Sequence, residues 1–354
     1  SATTFDLNGG QLRTSTTVAA QTQANAFRLN GSPGLINGSN PLTMSGSLTN
    51  TAGNRILQND LSGGAQLTIA AISLSNDNTG RTLTLTGTGT TNVTGVIGNG
   101  GTGAGALTYL GNGSLNLTGA NTFTGNAILS GGTTTLSSAG VFGPTGTLAV
   151  NQATLTLSNT ATQTNNRLGG RALTLSGATL NVLGNASAGG TEGGTPSTLT
   201  IGSGGSTINA TNLSGANTLA FTTLTINTGG SINFTGGVGV ANNKVTFSTA
   251  PTLVPASTGI LARATVGGTD FATIGVNGIT AFTGYTTPTN VNSLAATNTA
   301  KLNATTTNGG FTTNQTINAL ALDTSSPTVS NTFGSVLTLT SGGILATGGA
   351  QTDR

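Results

Sequence analysis

The sequence predicts an all-β chain that folds as a parallel β-helix, also called a β-solenoid, on three observations. Short strand patterns of alternating apolar and polar residues recur about every 25 residues. A second series of strand patterns follows the first at a similar spacing, and residues that favour turns fill the intervals. Each coil must set its strands on those of the coil before, about 4.8 Å away, so this fold requires a repeating strand pattern. At this spacing the 354 residues form about 14 coils.

Two strands per coil are visible in the most regular part of the chain, residues 146–250. The first series consists of Leu148-Ala-Val150, Leu173-Thr-Leu175, Leu199-Thr-Ile201 and Leu224-Thr-Ile226. The second series consists of Leu155-Thr-Leu157, Leu180-Asn-Val182, Ile208-Asn-Ala210 and Ile232-Asn-Phe234. Alternation with a period of two predicts that the apolar residues of both series face inward and the central polar residues face outward.

The outward residues are predicted to stack in columns along the coils. One column contains Thr156, Asn181, Asn209 and Asn233, and another contains Thr174, Thr200 and Thr225. Stacked amides can form ladders between coils, as they do in cross-β structures. The simpler interpretation is that the columns only need polar, uncharged side chains, since stacked like charges would repel. A flat threonine array could instead match a glycan surface or ice.

The composition agrees with strands joined by tight corners. The chain contains 57 glycines, 34% of its residues are apolar and only 5% are charged. Disordered chains usually combine low hydrophobicity with high net charge, whereas the net charge here is +3 and the apolar residues follow a strand period. Threonine favours strands, and glycine, asparagine and serine supply turns. We therefore expect an ordered chain.

The domain organisation is predicted from changes in the strand spacing. Residues 1–250 are expected to form the solenoid, with a distinct repeat motif at 82–140 and the regular coils at 146–250. Pro251 and Pro255 mark a break in the pattern. Residues 251–354 are predicted either to continue the solenoid or to form a spacer with larger insertions. Because the last strand pattern stops in the middle of a coil, we expect the chain to be a segment of something longer.

One stretch of the chain resembles a known family. The run Thr82-Leu-Thr-Leu-Thr-Gly87 and the run Gly95-Val-Ile-Gly-Asn-Gly100 lead to Gly113-Ser-Leu-Asn-Leu-Thr-Gly-Ala-Asn-Thr-Phe-Thr-Gly125. This pattern resembles the autotransporter-associated β-strand repeat, which occurs in passenger regions of very large bacterial surface proteins. The segment Gly267-Gly-Thr-Asp-Phe-Ala-Thr-Ile274 is similar to the spacers between such repeats. The motif positions are Gly113, Leu115, Leu117, Gly119, Asn121, Phe123 and Gly125.

The resemblance implies a right-handed parallel β-helix that is secreted or held on the bacterial surface, and it implies no enzyme activity. It implies a structural role for the motif positions. Tyr109 departs from the pattern, because the family more often has lysine there. No membrane barrel follows Arg354 in this sequence, which leaves the route of secretion and the anchor open.

The available side chains exclude most catalytic and metal chemistry. The chain has no histidine and no cysteine, so it has no Ser-His-Asp or Cys-His arrangement and no histidine or thiolate metal site. Asp60 and Asp77 lie about one short coil apart, and stacking could bring them to the separation that a retaining glycosidase needs. A single calcium ion at Asp270 or Asp323 is a further alternative. Isolated aspartates usually lie in solvated turns, so we predict no enzyme activity and no cofactor.

The charge pattern and the hydropathy limit the partners that the sequence predicts for this chain. Ten Lys and Arg residues are dispersed among seven Asp and Glu residues, without the cluster that nucleic-acid binding requires. No apolar run is long enough for a transmembrane helix. The sequence therefore predicts a non-enzymatic structural protein, outside the cell or on its surface, that stacks with itself within a longer chain or head to tail. The alternative is an adhesin that binds a glycan or another surface protein through loops at 186–196 and 262–292.

Overall fold

The computed structural model describes residues 3–194, 197–256, 258–306, 309–323, 330–331 and 334–347. In these ranges the chain consists of short β-strands and one 3-10 turn, Val291–Ser293. The strands stack as a β-solenoid of about 14 turns that follow one another about 24 residues apart. The predicted fold class, number of coils and coil length are therefore confirmed.

The strands have the following bounds in chain order. They are β1 (Phe5–Arg13), β2 (Gln21–Gln23), β3 (Phe27–Gly38), β4 (Leu42–Met44), β5 (Leu48–Asn50), β6 (Arg55–Leu61), β7 (Gln66–Ile69), β8 (Ile72–Ser73), β9 (Thr82–Thr86), β10 (Thr90–Val93), β11 (Ile97–Gly98), β12 (Ala106–Tyr109), β13 (Ser114–Leu117), β14 (Ala127–Ser130), β15 (Thr133–Leu136), β16 (Thr147–Asn151) and β17 (Thr154–Ser158). They continue as β18 (Ala172–Ser176), β19 (Thr179–Leu183), β20 (Gly190–Gly193), β21 (Leu199–Ile201), β22 (Gly204–Thr211), β23 (Asn217–Phe221), β24 (Leu224–Ile226), β25 (Gly230–Thr235), β26 (Asn243–Phe247), β27 (Ala264–Val266), β28 (Asp270–Gly275), β29 (Gly278–Ala281), β30 (Thr299–Leu302), β31 (Gly310–Phe311), β32 (Gln315–Leu322), β33 (Ser330–Asn331) and β34 (Leu337–Ala346).

The main stack has three strips of parallel strands. The first strip runs through β3, β6, β9, β12, β14, β16, β18, β21 and β24. The second strip runs through β2, β4, β7, β10, β13, β15, β17, β19, β22, β25 and β27. The third strip is formed by β5, β8 and β11 near one end and by β20, β23 and β26 near the other. β3 is long enough to pair in both the first and the third strip.

The register follows the predicted strand series along the first strip. Leu148 pairs with Leu173, which pairs with Leu199, which in turn pairs with Leu224. The first three are buried. The buried apolar side chains of the stack form one continuous core from Leu7 to Ile279. The strand pattern predicts this core, and burial of its apolar area is the main contribution to the stability of the fold.

The second strip departs from the predicted register at one point. Ile208 was expected to pair with Ile232, but it pairs with Phe234, and Ile232 pairs with Ser206. The alignment of these two strands therefore slides by two residues. A slide by two keeps every apolar residue on the inner face, so the hydrophobic pattern alone does not choose between the two registers.

An antiparallel hairpin follows the main stack. β27 still pairs in parallel with β25, although it lies beyond Pro251 and Pro255. β28 then pairs antiparallel with both β27 and β29, and β29 meets β26, so the hairpin joins the second strip to the third. Gly267 and Gly268 adopt φ values of +66° and +71° at the turn between β27 and β28, a conformation that favours glycine.

A second, smaller stack follows the hairpin. It contains the parallel strands β30, β32 and β34 and the pair β31 and β33. Its core is separate and includes Val291, Leu302, Phe311 and Ile317. Parallel stacking thus continues past residue 250, and the change of core falls at the hairpin, where Phe271 packs with Ala319 of the second stack, rather than at the two prolines.

Candidate functional site

The three motif glycines lie at coil corners, where the backbones of neighbouring coils touch. A Cβ atom added to any of them would come much too close to a carbonyl oxygen of the preceding coil. The separations would be 2.3 Å for Gly113 to Gly89 O, 2.1 Å for Gly119 to Gly95 O and 2.4 Å for Gly125 to Gly105 O. Only glycine fits these close contacts without moving a coil.

The other motif residues lie inside the stack. Leu115, Leu117 and Phe123 are fully buried in the core, and Asn121 is 4% exposed. The Asn121 side chain connects three successive coils, since its Oδ1 accepts a hydrogen bond from Ile97 N at 2.9 Å and its Nδ2 donates to Val141 O at 2.8 Å. All seven motif positions therefore contribute to packing between coils, and none is presented to a ligand.

The predicted outward columns form, with one correction. Thr156 pairs with Asn181, which pairs with Asn209. The amides join into a ladder, because Asn209 Nδ2 donates to Asn181 Oδ1 at 3.3 Å and Asn181 Nδ2 donates to Thr156 Oγ1 at 3.4 Å. The second column also stacks, from Thr174 to Thr200 to Thr225.

Asn233 does not belong to the first column, and its prediction was wrong. Because β25 slides by two residues, Thr235 occupies the position beside Asn209. Asn233 instead lies between Thr207 and Thr265 in the neighbouring column. There its Oδ1 accepts hydrogen bonds from Thr265 Oγ1 at 3.1 Å and from Gly268 N at 3.0 Å.

A buried ionic cluster that the strand pattern did not predict occupies one corner of the stack. Arg167 and Glu192 are both fully buried, and their Nε and Oε1 atoms lie 3.8 Å apart. Glu192 Oε2 accepts a hydrogen bond from Arg167 N at 2.6 Å, and Glu192 Oε1 accepts one from Asn159 Nδ2 at 2.8 Å. Arg167 also donates to backbone carbonyls, including Gly140 O at 2.7 Å. The one sequence signal for this cluster is the spacing of 25 residues, about one coil, between Arg167 and Glu192.

Burial governs the ionisation of this cluster. Removal from water raises the pKa of Glu192 to about 7, although the hydrogen bonds from Asn159 and Arg167 act in the opposite direction. The same effect lowers the pKa of Arg167. Such shifts are found at catalytic sites as well as in structural ion pairs. Here both carboxylate oxygens of Glu192 are occupied by donors of the protein itself, which indicates a structural role.

A second buried arginine joins backbones across several coils. Arg171 donates to Gly143 O at 2.7 Å, to Gly125 O at 2.7 Å and to Phe123 O at 2.9 Å. Its guanidinium carbon lies 4.6 Å from the centre of the Phe123 ring, a cation–π contact. Burial lowers the pKa of Arg171 to about 10, so the side chain remains charged at neutral pH. Arg171 therefore satisfies carbonyl groups at corners where no strand pairing can do so.

The best candidate pair of catalytic carboxylates is not brought together by stacking. Asp60 lies at the end of β6, and the residue stacked on it in the next coil is Thr88, whose backbone N donates to Asp60 Oδ1 at 3.1 Å. Asp77 lies at a different corner, between β8 and β9, where Arg81 pairs with it at 2.5 Å. This pairing holds the pKa of Asp77 well below its usual range.

The residues considered for calcium have protein partners. Asp270 forms an ion pair with Lys301 at 3.2 Å, and Asp323 is not free either. In the part of the chain that the structure describes, no three acidic side chains come together to hold a metal ion.

The two segments predicted as recognition loops contain regular strands. Gly190–Gly193 forms β20 and pairs with β23 in the third strip, whereas Thr195 and Pro196 lie outside the described residues. The segment 262–292 contains β27 and the hairpin that joins two strips. Each segment therefore contributes strands to the stack, and connecting residues make up the rest of its described length. Within the described residues, no helix is long and apolar enough to cross a membrane.

Comparison with known protein families, with curated proteins and with solved structures finds no match to this chain. The resemblance to the autotransporter-associated repeat, and the handedness that it implies, stay predictions.

Proposed function

We propose that this chain is a non-enzymatic structural element of a bacterial surface fibre, stalk or extracellular matrix. The observation that supports the proposal most strongly is the single apolar core that runs through the main stack from Leu7 to Ile279. A fold of this kind adds length with each repeat, since each coil contacts only its neighbours. At about 4.8 Å per coil, 14 coils extend over about 65 Å.

The use of the polar side chains also supports a structural role. The motif glycines, Asn121, Arg167 and Arg171 all contact backbone atoms of other coils. The side chains best able to perform chemistry are thus engaged in holding coils together. Self-association within a longer chain or between copies, and a location outside the cell, belong to the same proposal.

Immunogold labelling of intact cells that produce the protein tests the proposed location and role. An antibody raised against the purified chain is expected to label fibres or a continuous layer outside the cell envelope, and preimmune serum serves as the control. Labelling that appears only after the cells are made permeable would contradict the proposal.

Adhesion is the second function that the sequence analysis predicted. The predicted segment 262–292 supplies Arg263 and Phe271 to a cleft beside the main stack. That cleft has the chemistry to bind a glycan.

A further inference from the structure

A cleft of about 420 Å³ lies where the last coils of the main stack meet β34. This volume falls within the range of about 300–1,000 Å³ that is typical of small-molecule sites. The outer side of β22, β25 and β27 provides polar groups, and β28 and β34 provide an apolar side. The lining residues that matter here are Thr207, Ser231, Asn233, Arg263, Phe271 and Ile344.

The polar side of the cleft has hydrogen-bonding capacity that the protein does not use. Among the described residues, no partner is found for the hydroxyls of Thr207 and Ser231. Asn233 uses only its Oδ1 atom, which accepts from Thr265 Oγ1 and Gly268 N, so its Nδ2 group remains available to donate. Two hydroxyls and an amide in one cleft suit a ligand that is itself rich in hydroxyl groups.

Arg263 gives the cleft a positive charge. Two of its N–H groups donate to Ile226 O and Asn227 O, which fixes the position of the guanidinium. The remaining N–H groups of the guanidinium are free to donate to a ligand. Within the described part of the chain, no carboxylate lines this cleft and none pairs with Arg263. A carboxylate group of a ligand would accept hydrogen bonds from the remaining N–H groups of Arg263.

The opposite side of the cleft is apolar. Ile344 is 63% exposed, and Phe271 lies beside Gly343. An apolar side facing polar groups matches a sugar ring, which presents C–H groups on one face and hydroxyls around its edge.

From these observations we propose that the cleft binds a uronic acid unit of a polysaccharide. Arg263 holds the carboxylate, Asn233, Thr207 and Ser231 hydrogen-bond the hydroxyls, and Ile344 contacts the ring face. This inference goes beyond the structural role, and neither depends on the other.

Isothermal titration calorimetry with a galacturonic acid tetramer and a neutral galactose tetramer tests the site. The acidic tetramer is expected to bind at least about tenfold more tightly than the neutral one, since a charge-assisted pair accounts for the difference. Arg263→Gln should weaken binding by about tenfold or more. Ser231→Phe, which fills the cleft and leaves the charge in place, should also weaken it. Lys244→Gln, which removes one positive charge on the third strip, should leave affinity unchanged.

Melting curves of the variants show whether each one is folded, and Ser231→Phe keeps the test valid if Arg263→Gln does not fold. The proposal is overturned if the native chain does not bind the acidic tetramer, or if it binds both tetramers equally. It is also overturned if a folded Arg263→Gln or Ser231→Phe variant binds as tightly as the native chain.

Discussion

Buried polar side chains hold the backbone at the corners of the coils. Strand pairing satisfies backbone groups only along the strips, so carbonyl and N–H groups at the corners need other partners. Asn121, Arg167 and Arg171 fill this role by reaching into neighbouring coils. In a chain with few charged residues, such contacts determine how one coil fits on the next.

Asn121→Ala should destabilise the stack at the junction of three coils. The substitution leaves Ile97 N without its partner, whereas Val141 O keeps the hydrogen bond from the backbone N of residue 121, and an unsatisfied buried polar group costs about 1–3 kcal/mol. Chemical denaturation of the variant is expected to show a loss in this range. Asn116→Ala is the matched control, because Asn116 lies in an outward ladder where water can replace its bond to Asn92. An equal or larger loss for Asn116→Ala would contradict the assignment of Asn121.

Glu192 should make stability depend on pH in the neutral range. Its folded pKa of about 7 lies above the ordinary value of 4.5, so the folded state binds the proton more tightly than the unfolded state. The resulting stabilisation is complete below about pH 4.5 and is lost as the pH rises through 7. Between pH 8 and pH 5 we expect the free energy of unfolding to increase by on the order of 3 kcal/mol.

Denaturation of Glu192→Gln over the same pH range checks this account, because the variant has no proton to bind at this site. The slope should disappear, whatever the absolute stability of the variant. Asp77→Asn is the control and should keep the slope, since the pKa of Asp77 is lowered and that group does not titrate between pH 5 and 8. If the slope persists in Glu192→Gln, another group causes it.

The strand is the element that the sequence predicts best. The series from Leu148 to Leu224 was predicted with its correct register, because a period of two marks the inner face and a period of about 25 marks the coil. The slide at β25 was missed, since Ile232 and Phe234 are both apolar and both acceptable on the inner face.

The antiparallel hairpin was also beyond sequence reasoning. Residues 270–281 do not continue the strand pattern that recurs in the main stack. Nothing in their sequence therefore indicates that β28 joins two strips of the stack. The turn at Gly278 is visible as an asparagine–glycine pair, whereas the sheet that the hairpin joins is set by tertiary packing. The cluster of Arg167 with Glu192 was not predicted either, because its members come from different coils.

A single methyl group added at Gly119 should disrupt the packing between two coils. An alanine Cβ there would lie 2.1 Å from Gly95 O and 2.3 Å from Gly95 C, so one coil must shift. We expect Gly119→Ala to lower the free energy of unfolding by about 1–3 kcal/mol, as overpacking does elsewhere. Gly205→Ala provides the control, since its nearest neighbour would be Ser231 Oγ at 3.6 Å. Similar melting temperatures for the two variants would contradict the close contact.

The stability of the molecule as a whole should depend little on salt. Only 5% of its residues are charged, and the ion pair between Arg167 and Glu192 is fully buried, where salt screens weakly. The more exposed pairs, such as Arg28 with Asp6, contribute little. Between about 0.02 M and 0.5 M sodium chloride we expect the free energy of unfolding to change by less than about 1 kcal/mol. Calorimetry at a fixed pH measures this change, and a steep dependence on salt would show that surface charges hold the stack together.

The central claim is that this chain forms a rod in which one coil of about 24 residues adds about 4.8 Å of length. With a mass of 34.3 kDa over 354 residues, a single stack then has a mass per length of about 0.5 kDa per Å. Scanning transmission electron microscopy of the native material, with the denatured mass of its subunit determined on the same preparation, measures this most directly. Rods or fibres with that mass per length are the expected result, and a subunit near 34 kDa would identify a head-to-tail polymer, whereas a far heavier one would identify one long chain. Compact particles without an elongated axis would contradict the account.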